Sequence, residues 1–245
     1  LLKDLNKTSE SYLLTGGTDL ALEVTKKRKN LKNIFYLGSN EELKYISVKN
    51  NNIHIGASTP INEIIPVLEK YYPNFAKMFE RYGSEQIRNT ASLGGNIGSA
   101  SPIGDSLPVL MSLNSKIITT GKNKKIISFD DFFIDYRRTK LAKNELVKGI
   151  IIPLHKKNIL KCYKISKRID DDISSIFMSI NARLENNTIK FIKIVCGGMA
   201  STPKIAKLTQ DYLINKEFTI DKIKEAKNII KKDFNPLDDV RASKE

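Results

Sequence analysis

The sequence predicts an α+β protein of two packed units, and three observations carry that expectation. Up to Arg81, short β-type runs alternate with helical patterns. Toward the C-terminus, a group of strand-type runs is followed by two helical ones, the order of a separate small α+β unit. Between them, residues 82–105 (YGSEQIRNTASLGGNIGSASPIGD) form a Gly/Ser/Thr/Asn-rich stretch with no alternation and no helical period after Ile87. At 245 residues the chain exceeds a typical single-core domain. The polar segment 155–158 marks the division, giving units 1–155 and 156–245, with an internal split of the first near residue 57.

Residues 2–9 read as a short polar helix and Tyr12-Leu13-Leu14 as a buried strand. The strand runs into Thr15-Gly16-Gly17-Thr18-Asp19, where Thr18 can cap a helix over 19–27 with Leu20, Ala21 and Val24 on one face. A strand, a double glycine and a helix start offer free backbone N–H groups to a phosphate. A plain tight turn accounts for the same residues equally well, and neither the G-x-G-x-x-G nor the P-loop pattern is present. A second short strand over 33–37 follows, then a short helix that Ser39 and Glu42 can close as a capping box. Residues 46–48 and 53–57 alternate around Asn50-Asn51-Asn52, a hairpin signal. Thr59 and Pro60 set a cap and a first helical position for a helix over 61–70, and residues 73–81 form another.

An irregular stretch as long as 82–105 is rarely kept in a compact unit unless something packs against it. Gly94 and Gly95 remove side chains where a ligand can approach. Ser92, Asn96 and Ser99 can hydrogen-bond a polar chain, and the turn Pro102-Gly104-Asp105 presents one carboxylate suited to sugar-type hydroxyls. Beyond it lie a hairpin about Gly121, a helical turn over 129–133 capped by Ser128, and a strand over 145–152. The second unit reads as strands 162–166, 174–184 and 189–196, the last two joined at Asn186-Asn187, then helices 204–214 and 220–232, the latter capped by Thr219.

The net charge of +14 invites a nucleic-acid reading. Lysines spread over nearly every segment, with few arginines and no aromatic platforms beside them, fit solvated faces instead. No apolar run has the length of a membrane span. Cys162 and Cys196 sit in apolar strand-like runs as buried thiols, and with no signal peptide a reduced cytoplasmic protein is the expectation. His54 and His155 have no partners at metal-ligand spacing, so no metal site is expected.

LLTGGTDL and RNTASLGGNIGSASPIGDSLPVL, followed in order by DDFFIDYRRT, ELVKGIIIP, YKISKRIDDDIS and NPLDDVRAS, cover essentially the whole chain. Together they resemble the flavin-binding domain of the xanthine dehydrogenase/molybdenum hydroxylase family, most closely its bacterial small-subunit type. The resemblance implies a two-subdomain FAD-binding domain of the PCMH type, followed by a small α+β domain with an antiparallel sheet and helices. It also implies FAD as cofactor. Leu14, Thr15, Gly16, Gly17, Thr18, Asp19 and Leu20 would wrap its pyrophosphate. Ala91, Ser92, Gly94, Gly95, Asn96, Gly98, Ser99 and Asp105 would hold the ribityl and phosphate. Tyr82 would lie near the isoalloxazine face, Leu146 and Val147 along the ring and ribityl, and Lys164 at the pyrimidine end. Tyr136 and Asp171 would face the side where NAD docks as acceptor. The role implied is electron transfer, with no acid–base or nucleophilic residue in this chain. Molybdopterin and [2Fe-2S] clusters are expected on a partner large subunit and an iron–sulfur domain, in a hetero-oligomer. A related flavoprotein subunit of the carbon monoxide dehydrogenase or aldehyde oxidoreductase type, with an acceptor other than NAD, is the alternative. A start at Leu1 and the missing iron–sulfur segments lead us to expect a piece of a longer or split chain.

Overall fold

The structure, a computed structural model, describes residues 11–121, 124–236 and 242–243. The expected helix over 2–9 lies outside the described residues, as do Lys122, Asn123 and residues 237–241 of the last motif.

The chain opens with a parallel pair, β1 (Tyr12–Leu14) and β2 (Ile34–Tyr36), in register Tyr12 to Ile34. The helix between them is shorter than expected, Ala21–Thr25, and Leu20 rather than Thr18 holds its N-cap position without a side-chain bond. The Ala21 amide bonds the Gly17 carbonyl at 2.9 Å, which closes a turn over residues 18–20 ahead of the helix. The Ser39/Glu42 box is likewise replaced: Asn40 accepts from the Glu42 amide at 3.0 Å and caps the tight turn Glu41–Leu43.

Three hairpins follow: β3 (Ile46–Lys49) with β4 (Asn52–Gly56), β5 (Lys116–Thr120) with β6 (Lys125–Ser128), and the small β7 (Phe133–Asp135) with β8 (Arg138–Thr139). Asn50 and Asn51 both have positive φ, the backbone a two-residue hairpin turn needs. Strand β9 (Leu146–Pro153) enters between the first two hairpins, making a five-stranded antiparallel sheet in the order β3-β4-β9-β5-β6. Helix Ile61–Tyr71 buries Ile61, Ile64 and Leu68. Pro60 occupies its N-cap, and the Thr59 hydroxyl donates to the Tyr45 carbonyl instead of capping. Helix Pro73–Glu80 begins on its proline, as expected.

The glycine-rich stretch is not irregular. It contains helices Glu85–Thr90 and Leu93–Ser99 and leads into Ser106–Ser112. Ser84 and Ser92 cap the first two through the Ile87 and Gly95 amides. A segment with three glycines in seven residues has poor helix propensity. Burial of Leu93, Gly94 and Ile97 holds it helical.

The C-terminal sheet is antiparallel in the order β10 (Ile159–Ile165), β11 (Ile176–Glu185), β12 (Thr188–Gly197), β13 (Lys204–Ile205). Residues 204–205, expected to begin a helix, add this last strand, and the helices are Lys207–Leu213 and Ile220–Asp233. Alternation sorts the two faces. Phe177 and Val195 join the core of the first sheet and its helices, whereas Met178, Ile180, Ile194 and Cys196 pack with the C-terminal helices. Helix Ser106–Ser112 is buried between the sheets and bonded to β11: the Ser112 and Ser179 hydroxyls lie 2.7 Å apart, and the Asn181 amide donates to the Ser112 carbonyl at 2.8 Å. Lys193 of β12 reaches Asp130 at 2.6 Å, a second tie across the boundary.

Candidate functional site

A cleft of about 700 Å³ lies where the N-terminal turn, the glycine-rich helices, the start of β9, the end of β10 and the loop after it converge. On one wall are Leu14, Thr15, Gly16, Gly17, Thr18, Asp19 and Leu20; on the other are Tyr82, Ala91, Ser92, Gly94, Gly95, Asn96, Gly98, Ser99 and Asp105. Leu146, Val147, Lys164 and Asp171 complete it, so of the residues singled out in the sequence only Tyr136 lies outside the lining. Tyr136 stands 58% exposed on the β7–β8 turn, and its neighbour Arg137 enters the cleft instead. Sequence reasoning also missed Ile103, Leu141 and Ser174. The first two carry no signal beyond being apolar, and Ser174 is explained only by its bond to Asp105.

The two walls are latched together. The Thr15 and Ser92 hydroxyls are 2.8 Å apart, and Ser92 also accepts from the Gly95 amide at 3.1 Å. Gly16 has no room for a side chain: a Cβ there would stand 1.8 Å from the Thr90 carbonyl oxygen. Gly17 has φ +73°, a conformation suited to glycine. The amides of residues 16–20 make no hydrogen bond to another described residue. A run of such donors at a turn suits an anion.

The other wall departs from expectation in its polar groups. Gly94 makes room for protein rather than ligand, since a Cβ there would come 2.4 Å from that of Ala57. Asn96 donates to the Tyr82 hydroxyl at 3.1 Å and accepts from the Ser106 hydroxyl at 2.5 Å, and Ser99 donates to the Asn96 carbonyl at 3.0 Å. These side chains therefore brace the wall. Gly98 does open onto free space, with nothing within 4 Å of a built Cβ. Asp105 is not a free acceptor: it is buried, takes the Ser174 hydroxyl at 2.5 Å on one oxygen and Lys164 Nζ at 2.7 Å on the other. Lys164, expected as a lone cation, is thus half of a buried pair with side chains 4% and 5% exposed, and it also donates to the Arg81 carbonyl at 2.9 Å. Burial, with Asp105 nearby, pushes the Tyr82 phenol well above its usual range, so it stays a neutral O–H. At the rim, bonds from Lys27 and Lys29 hold the Glu23 carboxyl down to about 2.

Fold and cleft together define a nucleotide-cofactor module: two walls of glycine-rich backbone meeting over a braced polar floor, backed by a second sheet. The fold is shared with solved structures. Carbon monoxide dehydrogenase from Hydrogenophaga pseudoflava superposes with a TM-score of 0.94 at 22% identity, over 99% of this chain and 86% of that one.

Residues 1–155 match the family described as the FAD binding domain in molybdopterin dehydrogenase, and residues 161–245 match the CO dehydrogenase flavoprotein C-terminal domain. The chain belongs to this family of FAD-binding domains of molybdopterin dehydrogenases. Xanthine dehydrogenase of Emericella nidulans is 30% identical over 225 residues, 86% of this chain and 16% of that protein. Xanthine dehydrogenase 1 of Arabidopsis thaliana is 27% identical over 242 residues, 91% of this chain and 18% of that protein. The chain therefore spans under a fifth of the length of these curated relatives. The residues present fit FAD: free amides at 16–20 suit a pyrophosphate, and the open face of Gly98 admits a flat or extended group against the helix. Among the described residues no group of His, Cys, Asp and Glu could hold a metal, and no helix is long and apolar enough to cross a membrane.

Proposed function

We propose that this chain is the FAD-carrying electron-transfer part of a molybdenum hydroxylase of the xanthine dehydrogenase type, with NAD+ as acceptor. Its partners would be a molybdopterin-binding chain and [2Fe-2S] domains, assembled as a hetero-oligomer in the cytoplasm. The division into 1–155 and 156–245 is proposed as that between the cofactor domain and its C-terminal support. The observation that carries the reading is that the amides of residues 16–20, unbonded to any other described residue, and the open helix surface at Gly98 line one cleft.

When bound, FAD supplies reversible two-electron chemistry between an electron donor and a hydride acceptor. The chain's own residues bind, orient and tune. Residues 14–20 would take the pyrophosphate on backbone N–H groups. Tyr82, kept neutral, and the apolar Leu146 and Val147 would bound the ring. The Lys164–Asp105 pair would set the local charge at the pyrimidine end, where a balanced pair changes the potential less than a free cation does. Asp171 would face the acceptor's side. The two unpaired thiols, both raised to about 12 by burial, suit a reducing compartment.

The test is optical. The purified chain is expected to take up FAD, giving a bound-flavin spectrum and a higher Tm, and anaerobic NADH should then bleach it. A colourless chain that FAD neither stains nor stabilises would falsify the flavoprotein reading. Flavin uptake without bleaching by NADH would move the assignment to a carbon monoxide dehydrogenase or aldehyde oxidoreductase type with another acceptor.

A further inference from the structure

The cleft is rich in carboxylates, of which Glu23 is paired with Lys27 and Lys29 and Asp172 with Arg168, cations outside the lining. Its lining holds five carboxylates, Asp19, Glu23, Asp105, Asp171 and Asp172, against two cations, Arg137 and Lys164. Lys164 is committed to Asp105 at 2.7 Å in a buried pair. That leaves Arg137 as the one cleft-lining cation among the described residues with charge to offer an anion. Its ionic partner is Asp19, reached from Nη1 at 3.4 Å with the two side chains 41% and 51% exposed, a contact of little worth in water. Its backbone is also unusual. Arg137 has φ +52° at the turn between β7 and β8, the left-handed region that glycine or asparagine would take more readily. A long, charged side chain held there against that preference, and reaching across the cleft to the turn that carries the amides of residues 16–20, points to a use beyond the turn.

Resting on the reading of this cleft as a dinucleotide site, we propose that Arg137 is a phosphate-binding residue: it leaves Asp19 and takes a phosphate oxygen of a bound dinucleotide, opposite the backbone donors of residues 16–20. Asp19 then competes with the ligand for the guanidinium. A guanidinium suits this exchange because its forked donors meet carboxylate and phosphate alike. The phosphate belongs either to FAD or to the dinucleotide acceptor, and the experiment separates the two.

Two single variants of the full chain carry opposite expectations. Arg137→Gly removes the charge and relieves the backbone, so its Tm without ligand should not fall. Its FAD dissociation constant, read by flavin fluorescence, should rise about tenfold or more. Asp19→Asn frees the arginine and should lower that constant. A strap that merely holds the cleft together predicts the reverse for Asp19→Asn, because breaking the pair from either side would weaken binding alike; that result overturns the proposal. If Arg137→Gly leaves FAD affinity intact but raises the NADH concentration needed for bleaching about tenfold, the phosphate is the acceptor's. If neither constant moves, the proposal fails. If the unmodified chain does not take up FAD, inorganic pyrophosphate decides. Stabilisation of the unmodified chain but not of Arg137→Gly keeps the arginine's role while the flavin reading falls, and no stabilisation of either ends both.

Discussion

The buried pair Lys164–Asp105 is the most consequential residue-level feature outside the cleft's backbone. Each carboxylate oxygen has a partner, and Lys164 has a second acceptor in the Arg81 carbonyl, so neither charge is left bare. Removing one partner leaves the other desolvated and uncompensated, which typically costs about 3–5 kcal/mol. Lys164→Met should therefore lower the unfolding free energy by roughly that amount in urea titrations, and the double change Lys164→Met with Asp105→Leu should recover part of it. A single-variant loss below about 1 kcal/mol would mean that solvent reaches the pair. This outcome could not be anticipated from the sequence, where Asp105 and Lys164 stand 59 positions apart and each reads as an independent ligand group.

At the scale of elements, helix Leu93–Ser99 shows how one glycine run serves two purposes. Gly94 faces Ala57 of the neighbouring segment, where an added Cβ would come within 2.4 Å of the alanine's own, and Gly98 faces the open cleft. Gly94→Ala should force the helix away from Ala57 and destabilise the fold by about 1–3 kcal/mol through overpacking. Gly98→Ala should do the opposite, raising stability by about 0.5–1 kcal/mol as alanine replaces glycine in a helix, while weakening FAD retention. Thermal unfolding with and without FAD distinguishes the two, and equal effects at both positions would contradict the placement of this helix. The glycine pattern signalled a site, but its helical form was hidden because glycine, serine and asparagine carry little helix propensity of their own.

At the scale of the whole molecule, the two sheets share one core. Leu160, Phe177 and Val195 of the C-terminal sheet pack into the cluster built by Ile53, Ile117 and Ile150 of the first. Cys162 and Cys196 lie on the two sides of that C-terminal sheet, with thiols pushed up to about 12 by burial. The consequence has a definite sign. In the unfolded chain a thiol ionises near 9, so above that pH the unfolded state binds fewer protons than the folded one and stability falls as pH rises. The contribution is whole below pH 9 and declines toward 12, at about 1.4 kcal/mol per pH unit for each thiol. The Tyr45, Tyr72 and Tyr82 phenols, raised by burial, add in the same direction at higher pH. The Tm should hold steady from about pH 7 to about 8.5 and drop beyond about 9, and a Tm independent of pH up to about 10.5 would refute the burial of these groups.

The sequence alone determined the α+β class, the hairpins at Asn50-Asn51 and Asn186-Asn187, and the strand-to-glycine turn at residues 14–20, and through the ordered motifs of the family resemblance it named just over half of the residues that line the cleft. Those features are written in local chemistry: alternation, turn residues that tolerate positive φ, and ordered motifs. Tertiary structure alone decided what the polar side chains do there. Long-range packing pairs Asp105 with Lys164, ties Asn96 to Tyr82 and Ser106, turns Gly94 toward Ala57, and brings Arg137 into the cleft in place of Tyr136. A hydrogen bond or ion pair between distant segments depends on where the backbone carries them, and spacing along the chain does not encode that distance.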